Sequence, residues 1–239
     1  MKTGTVQKPL DPSEQAEFWA AMHQQFPHDP DPAAVRRYLK KKATLGRDWR
    51  GLIGQPLPVV DVDNWQDFFK RKFGRRFDLG GLYIPQKPAY PCRAIINPRD
   101  GLTNNDVFDA FTKTLDGKTW RYANDLNTVE DVITRPEGPH VVWVRDVIEA
   151  DEEMANVSAD QITERGINTV TFFDRQMDGL KVFDEGRGHL DIQNVTLCSG
   201  SRSSDGGVPG AGWLDGEFYV HAYRPGYSDS CLRARVAVS

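Results

Sequence analysis

Side chains able to do covalent or metal chemistry are few in this sequence, and their spacing says what each can support. The chain's three cysteines, Cys92, Cys198 and Cys231, lie far apart, with no C-x-x-C pair and no disulfide framework. They read as small buried hydrophobes or chance surface thiols, since no local histidine pattern supports a catalytic thiol. His189 and Asp191 form an H-x-D pair, a metal-ligand spacing with no third ligand close by. The acidic stretch Asp146 to Glu153 offers carboxylates to a hard cation, but a run does not converge. Helix-start or solvated-loop carboxylates account for it better. Ser199 to Ser204 reads SGSRSS, which is not the G-x-S-x-G elbow of a nucleophilic serine. What remains is contact chemistry: Tyr219, His221 and Tyr223 alternate with Phe218, Val220 and Ala222.

Alternation of this kind belongs to a strand, whose side chains point to opposite faces in turn. Trp213 to Tyr223 reads as a hairpin about the Asp215-Gly216 turn. Phe218, Val220 and Ala222 then face a core, and two tyrosines and a histidine face outward. Leu232, Ala234, Val236 and Val238 alternate with Arg233, Arg235 and Ala237 in a last strand. Between Ser199 and Cys231 there is no Lys, Gln, Met or Asn, and Glu217 is the single glutamate. Exposed tyrosines among Ser and Gly have the composition of a paratope. A Gly-rich β-edge that merely avoids charge has the same composition, and both readings stand at this point.

The elements that must position these residues begin with helices. Asp11-Pro12 and Asp31-Pro32 each start one, with Asp as N-cap and Pro at the first helical position. A third follows Asp63, carries Trp65, Phe68, Phe69 and Phe73, and stops at Gly74. Arg36-Arg37 with Lys40 to Lys42, and Lys70 to Lys72 with Arg75-Arg76, read as solvated helix faces. Short strands come next at Leu82 to Ile84 and Arg93 to Ile96, then a helix capped by Thr103, then a strand over Thr119 to Tyr122. This β-α-β piece is a small subdomain or an elaboration of the C-terminal domain. The polar, turn-rich Asn124 to Pro139 reads as a linker. Beyond it come a strand at His140 to Val144, a capping box at Ser158 to Gln161, and a helix from Asn168 or Thr169. Gly179 weakens that helix, and Leu190 to Leu197 reads as a buried strand or two short pieces. The expected class is α+β, with a mostly helical region over 1–125 and a second domain over 139–239.

Composition limits the function. A net charge of −4 over 239 residues argues against broad attraction to nucleic acid or anionic membrane. No apolar run is long enough to span a bilayer, and the first residues carry no apolar leader core, so a cytoplasmic location is the default.

From roughly Val141 to Ser239 the chain resembles a known family. The residues that carry the likeness run VWVRDVIEADEEMANVSADQITERGINTVTFFDRQMDGLKVFDEGRGHLDIQNVTLCSGSRSSDGGVP, then Trp213, then the closing LRARVAVS. They are similar to the variable proteins of diversity-generating retroelements, in which error-prone reverse transcription at adenines replaces the 3′ end of the target gene. The resemblance implies a C-type lectin-like fold of the branch related to the formylglycine-generating enzyme. It implies a ligand-binding face of exchangeable residues: Ser203, Gly207, Gly210, Gly212, Leu214, Tyr219, His221, Tyr223, Arg224, Tyr227, Ser228, Asp229, Ser230 and Cys231. All are residue types that adenine randomisation of an Asn codon reaches. Trp213 and Glu217 are not. Arg202, Trp213, Leu232, Arg233 and Arg235 are the implied fixed frame. Family members usually carry ITLLERLLxELKYF and TGKHLD where this chain has NTVTFFDRQMDGLKVF and GRGHLD. The likeness implies no cofactor and no metal, and a protein or other macromolecule as partner. Two other classes stay open: an enzyme using Cys198 and Cys231, and an interaction protein whose tail packs on residues 1–125.

Overall fold

The computed structural model describes residues 60–99 and 101–239, together with Pro12, Ser13 and Ala16. Those three are helical and exposed. The remainder of the helices expected after Asp11-Pro12 and Asp31-Pro32, and the first basic run, lie outside the described residues. From Val60 on, the chain belongs to a unit that spans Pro58–Ser239.

Helix α1, Val62–Phe73, begins two residues before the expected start after Asp63. Asp61 is its cap, accepting from the Asn64 backbone N–H at 3.1 Å. Gly74 ends it in the left-handed region, φ 73°, with its N–H on the Lys70 carbonyl. Trp65, Phe68 and Phe69 are buried. Helices α2 (Asn104–Thr114), α3 (Ala159–Glu164) and α4 (Phe172–Asp184) each start with a capping box, from Thr103, Ser158 and Thr171. Helix α4 starts later than the expected Asn168 or Thr169. Thr169 instead bridges Val236, and the Val170 N–H bonds the Arg235 carbonyl, so both are held in extended backbone.

Strands β1 (Cys92–Asn97), β4 (His140–Arg145) and β10 (Ala237–Val238) form one antiparallel sheet in that order. A second has the order β2 (Thr119–Arg121), β8 (Glu217–Tyr223), β7 (Val208–Leu214), β5 (Val195–Leu197), β9 (Leu232–Arg233). Strand β3 (Glu130–Asp131) pairs with β6 (Ser201–Arg202). These pairings overturn the boundary read at 124–139. The β-α-β piece contributes β1 and β2 to the two sheets whose other strands lie after residue 139. The supposed linker buries Leu126 and Val129 and carries β3. Polar turn residues made it look like a spacer; its partners lie about seventy residues on, as Ser201 Oγ donating to Asp131 at 3.1 Å shows.

Two strand readings also change. Leu82 to Ile84 makes a single bridge, at Tyr83 to His140. Between Leu190 and Leu197 the strand is Val195–Leu197 alone, and Ile192 is 56% exposed. Asp191 adopts φ 57°, which breaks the alternation and turns its carboxylate inward. The last strand is likewise split into β9, a bridge at Val236 and β10, with Ala234 and Arg235 both buried between them.

Helix α4 is buried nearly all round, although Asp174, Arg175, Gln176, Asp178 and Lys181 are polar. Buried charges must be paired, and these are: Arg93 on Asp178 at 2.6 Å, Arg135 on Asp174 at 3.0 Å, Arg175 on Asp191 at 2.8 Å. Gly179 makes room for this. A Cβ there would come within 2.5 Å of Arg175 Nη1 and 3.2 Å of the Phe111 ring. Arg175 cannot swing away, because Nε and Nη2 are held by Asp191 and the Leu190 carbonyl. Gly179→Ala would gain about 1 kcal/mol in helix propensity, but crowding a packed core costs about 1–3 kcal/mol. We therefore expect a net loss of stability, read as a lower urea midpoint. A gain would mean that the guanidinium has room to move.

Candidate binding face

The β7–β8 hairpin positions the site. Asp215 and Gly216 take φ 51° and 83°, the pair of positive values that a tight hairpin turn needs. The register sets Trp213 opposite Phe218, Gly212 opposite Tyr219, and Gly210 opposite His221. One face of β8 is core. Phe218 stacks on Phe111 at 3.9 Å between ring centroids, and Val220 is fully buried.

The other face carries Tyr219, His221 and Tyr223, each half-buried. Strand β2 lies parallel to β8 and sets Trp120 beside Tyr219. The two rings stack at 4.5 Å and 10°, and His221 meets Trp120, Tyr219 and Tyr223 edge-on at 6.0, 5.9 and 5.2 Å. Tyr227 closes the row, parallel to Tyr223 at 6.1 Å. Trp120 is 41% exposed and Tyr227 47%. Tyr223 is the anchored member. It packs on Ala159, Leu197 and Val208, and burial pushes its hydroxyl up to about 12. The result is five aromatic rings in one solvent-reaching row across two strands and the loop after β8. Among the described residues before 125, Trp120 reaches this row and covers one face of Tyr219.

Comparison with protein-family models, with curated proteins and with solved structures finds no match.

The other residues expected to vary divide in two. Leu214, Arg224, Ser228, Ser230 and Cys231 are exposed and Asp229 is half-buried. Asp229 organises the loop, accepting from the Cys231 N–H at 2.9 Å. Ser203, Gly210 and Gly212 are buried, in place of the exposure expected of ligand-facing residues. Ser203 Oγ is spent on Asp205 at 2.6 Å and the Gly207 carbonyl at 3.0 Å. A Cβ on Gly207 would press on that same Oγ at 2.8 Å, and one on Gly210 would strike the Tyr223 ring. A Cβ on Gly212 would lie 3.0 Å from the Asn194 carbonyl, so any side chain there must move backbone.

The expected frame residues lie beneath or beside the row. Trp213 stacks on His189 at 3.4 Å, and His189 in turn on Phe183 at 4.7 Å. That stack and the Asp191 ion pairs account for the H-x-D pair, and the described residues hold no cluster of three metal-ligating side chains. Arg202 donates to the Ser199 and Ser201 carbonyls, Leu232 is buried, and Arg233 is half-buried. Arg235 is buried at the centre of an ionic cluster. Two clefts of about 480 and 460 Å³ lie elsewhere, one between α1 and α2, the other beside β3 and the start of α2.

Trp120 is the member of the row that sequence reasoning missed. The strand over Thr119 to Tyr122 was legible. Its pairing with a strand a hundred residues later was not.

The cysteines differ in access. Cys198 is fully buried, and burial pushes its thiol well above the ordinary range. Cys231 is exposed, and Cys92 is intermediate. Thiol labelling with an aromatic disulfide reagent is expected to consume Cys231 first, and Cys198 only once denaturant unfolds the chain. Labelling of Cys198 in the folded protein would favour the thiol-enzyme alternative.

Among the described residues no helix is long and apolar enough to cross a membrane.

Proposed function

We propose that this chain is a non-catalytic ligand-binding protein, for reception or display. Its C-terminal surface is diversified by a retroelement on a C-type lectin-like scaffold. The observation that carries the reading is the aromatic row Trp120, Tyr219, His221, Tyr223 and Tyr227, backed by a frame of buried residues on the opposite strand face. A rigid scaffold under exchangeable contacts is what selection of new ligands needs. Tyrosine gives large contact area at small entropic cost. The mix of helices and short strands is compatible with the implied fold. The ligand is a protein or other macromolecule. The enzyme alternative is weakened by the burial of Cys198, because a thiol sealed in the core and held protonated cannot attack a substrate.

The DNA around the coding sequence tests the diversification. We expect a reverse-transcriptase gene and a near-copy of the final coding stretch, with the two copies differing at adenines. A neighbourhood with neither would overturn the retroelement reading. The adenine differences should fall in the codons for Tyr219, His221, Tyr223 and Tyr227, and spare those for Phe218 and Val220.

A further inference from the structure

We infer that Trp120 is a constant contact residue of this face, and that the face takes a folded protein surface. The inference rests on the binding-face reading and deepens it. Trp120 lies outside the C-terminal segment that the diversification would replace, and its residue type is one that adenine randomisation of an Asn codon does not reach. Yet the parallel pairing of β2 with β8 puts it at the head of the row, 41% exposed and stacked on Tyr219. Among the described residues its indole contacts Tyr219 and His221 and no further ring. Whatever stands at 219 and 221, a ligand seated on the row also meets the tryptophan. Trp and Tyr are the residue types that dominate binding energy at protein interfaces. A fixed tryptophan would therefore supply base affinity, and the exchangeable neighbours would choose the partner.

Ring orientation favours a protein over a glycan. Sugar rings stack on exposed aromatic faces. Here Trp120 and Tyr219 each cover one face of the other at 10°, and Tyr223 and Tyr227 lie parallel at 5°. His221 between them meets its neighbours edge-on, at 66° to both Tyr219 and Tyr223. Within the row the stacked faces are turned on one another, so its inner rings offer edges and hydroxyls, along more than one strand. Composition agrees: a specific protein interface sets a central cluster of anchors within a polar rim. The row with Leu214, Arg224 and Asp229 at its rim has the make-up of such a centre and rim.

The test uses the full chain displayed on phage, randomised at Tyr219, His221, Tyr223, Arg224 and Tyr227. It is selected in parallel on immobilised streptavidin and on immobilised cellohexaose. Streptavidin binders are expected. In each, Trp120→Ala should weaken binding by roughly 10-fold or more, with the thermal midpoint little changed. Trp120→Phe should recover most of the loss, which a merely structural role would not do. Binders whose affinity stays within about two-fold on Trp120→Ala would overturn the role of Trp120 and leave the binding face standing. Binders on cellohexaose alone would overturn the protein partner. A library that folds but yields no binder on either target would overturn the binding-face reading, and this inference with it.

Discussion

Asp191→Asn is expected to lower the unfolding free energy by about 3–5 kcal/mol, the cost of leaving buried charge without its partner. Asp191 is fully buried and accepts from Arg175 Nε at 2.8 Å, from Arg235 Nη2 at 2.6 Å and from the Thr196 hydroxyl. Both guanidiniums are themselves buried. Asparagine matches aspartate in shape and tolerates the left-handed backbone found here, φ 57°. The change is therefore almost purely one of charge: two cations lose their shared anion, and an amide N–H₂ is turned toward N–H donors. Through Asp191 and Arg235 the cluster ties the segment before β5 to the segment after β9, and the Val147 and Ile148 carbonyls, which Arg235 also meets, add the loop after β4. Losing it should loosen the support under the hairpin. The comparison that gives the number meaning is Arg187→Ala, which removes a partner of Asp146 at a pair about one-third exposed. An exposed pair of that kind contributes roughly 0–1 kcal/mol. Urea denaturation of the two variants should separate them by several-fold at unchanged m. Equal and small losses would show that the buried cluster is already compensated by solvent or by its remaining hydrogen bonds.

The same cluster shows where sequence reading stops. Helix caps at Thr103 and Ser158 and the hairpin turn at Asp215-Gly216 are local. Each depends on residues within a few positions, so they were legible. The split of β8 into a core face and an outward face was legible for the same reason. Arg235 could be placed in the frame, but not in the ionic cluster that it forms. Its partners are Asp191, Val147 and Ile148, and alternation along a strand would have sent a charged side chain out. Gly179 read as a weak point in a helix because propensity is local. Its use, clearance for Arg175, depends on where Asp191 arrives from another part of the fold. The supposed linker failed likewise: residues 124–139 are polar and turn-rich, as a spacer would be, yet they pack through Leu126 and Val129 and pair with β6. Trp120 joined the site by the one kind of information a sequence does not print, which strand lies beside which.

The separation of frame from face predicts a sharp contrast between adjacent residues. Phe218→Ala is expected to cost about 3–5 kcal/mol, the range for emptying a buried aromatic site. Its ring is 3% exposed, stacked on Phe111 at 3.9 Å and close to Phe108 at 6.0 Å, so truncation removes the contact between β8 and α2. Those neighbours belong to a helix and cannot easily collapse into the space. Tyr219→Ala, one residue on, removes a ring of similar size from the opposite face. That ring is half-buried and its stacking partner is the solvent-reaching Trp120. An aromatic pair contributes about 0.5–1.5 kcal/mol, so the loss should stay near that value. Urea midpoints of the two variants, with m values held in common, give the comparison directly. A Tyr219→Ala loss as large as that of Phe218→Ala would place Tyr219 in the structural core and remove the aromatic row from use as an exchangeable surface. If the contrast holds, side chains on this face can be replaced at a cost well below the stability of an ordinary domain, about 5–15 kcal/mol. That margin is the physical condition for a surface whose residues are chosen by selection while the strands beneath them stay the same.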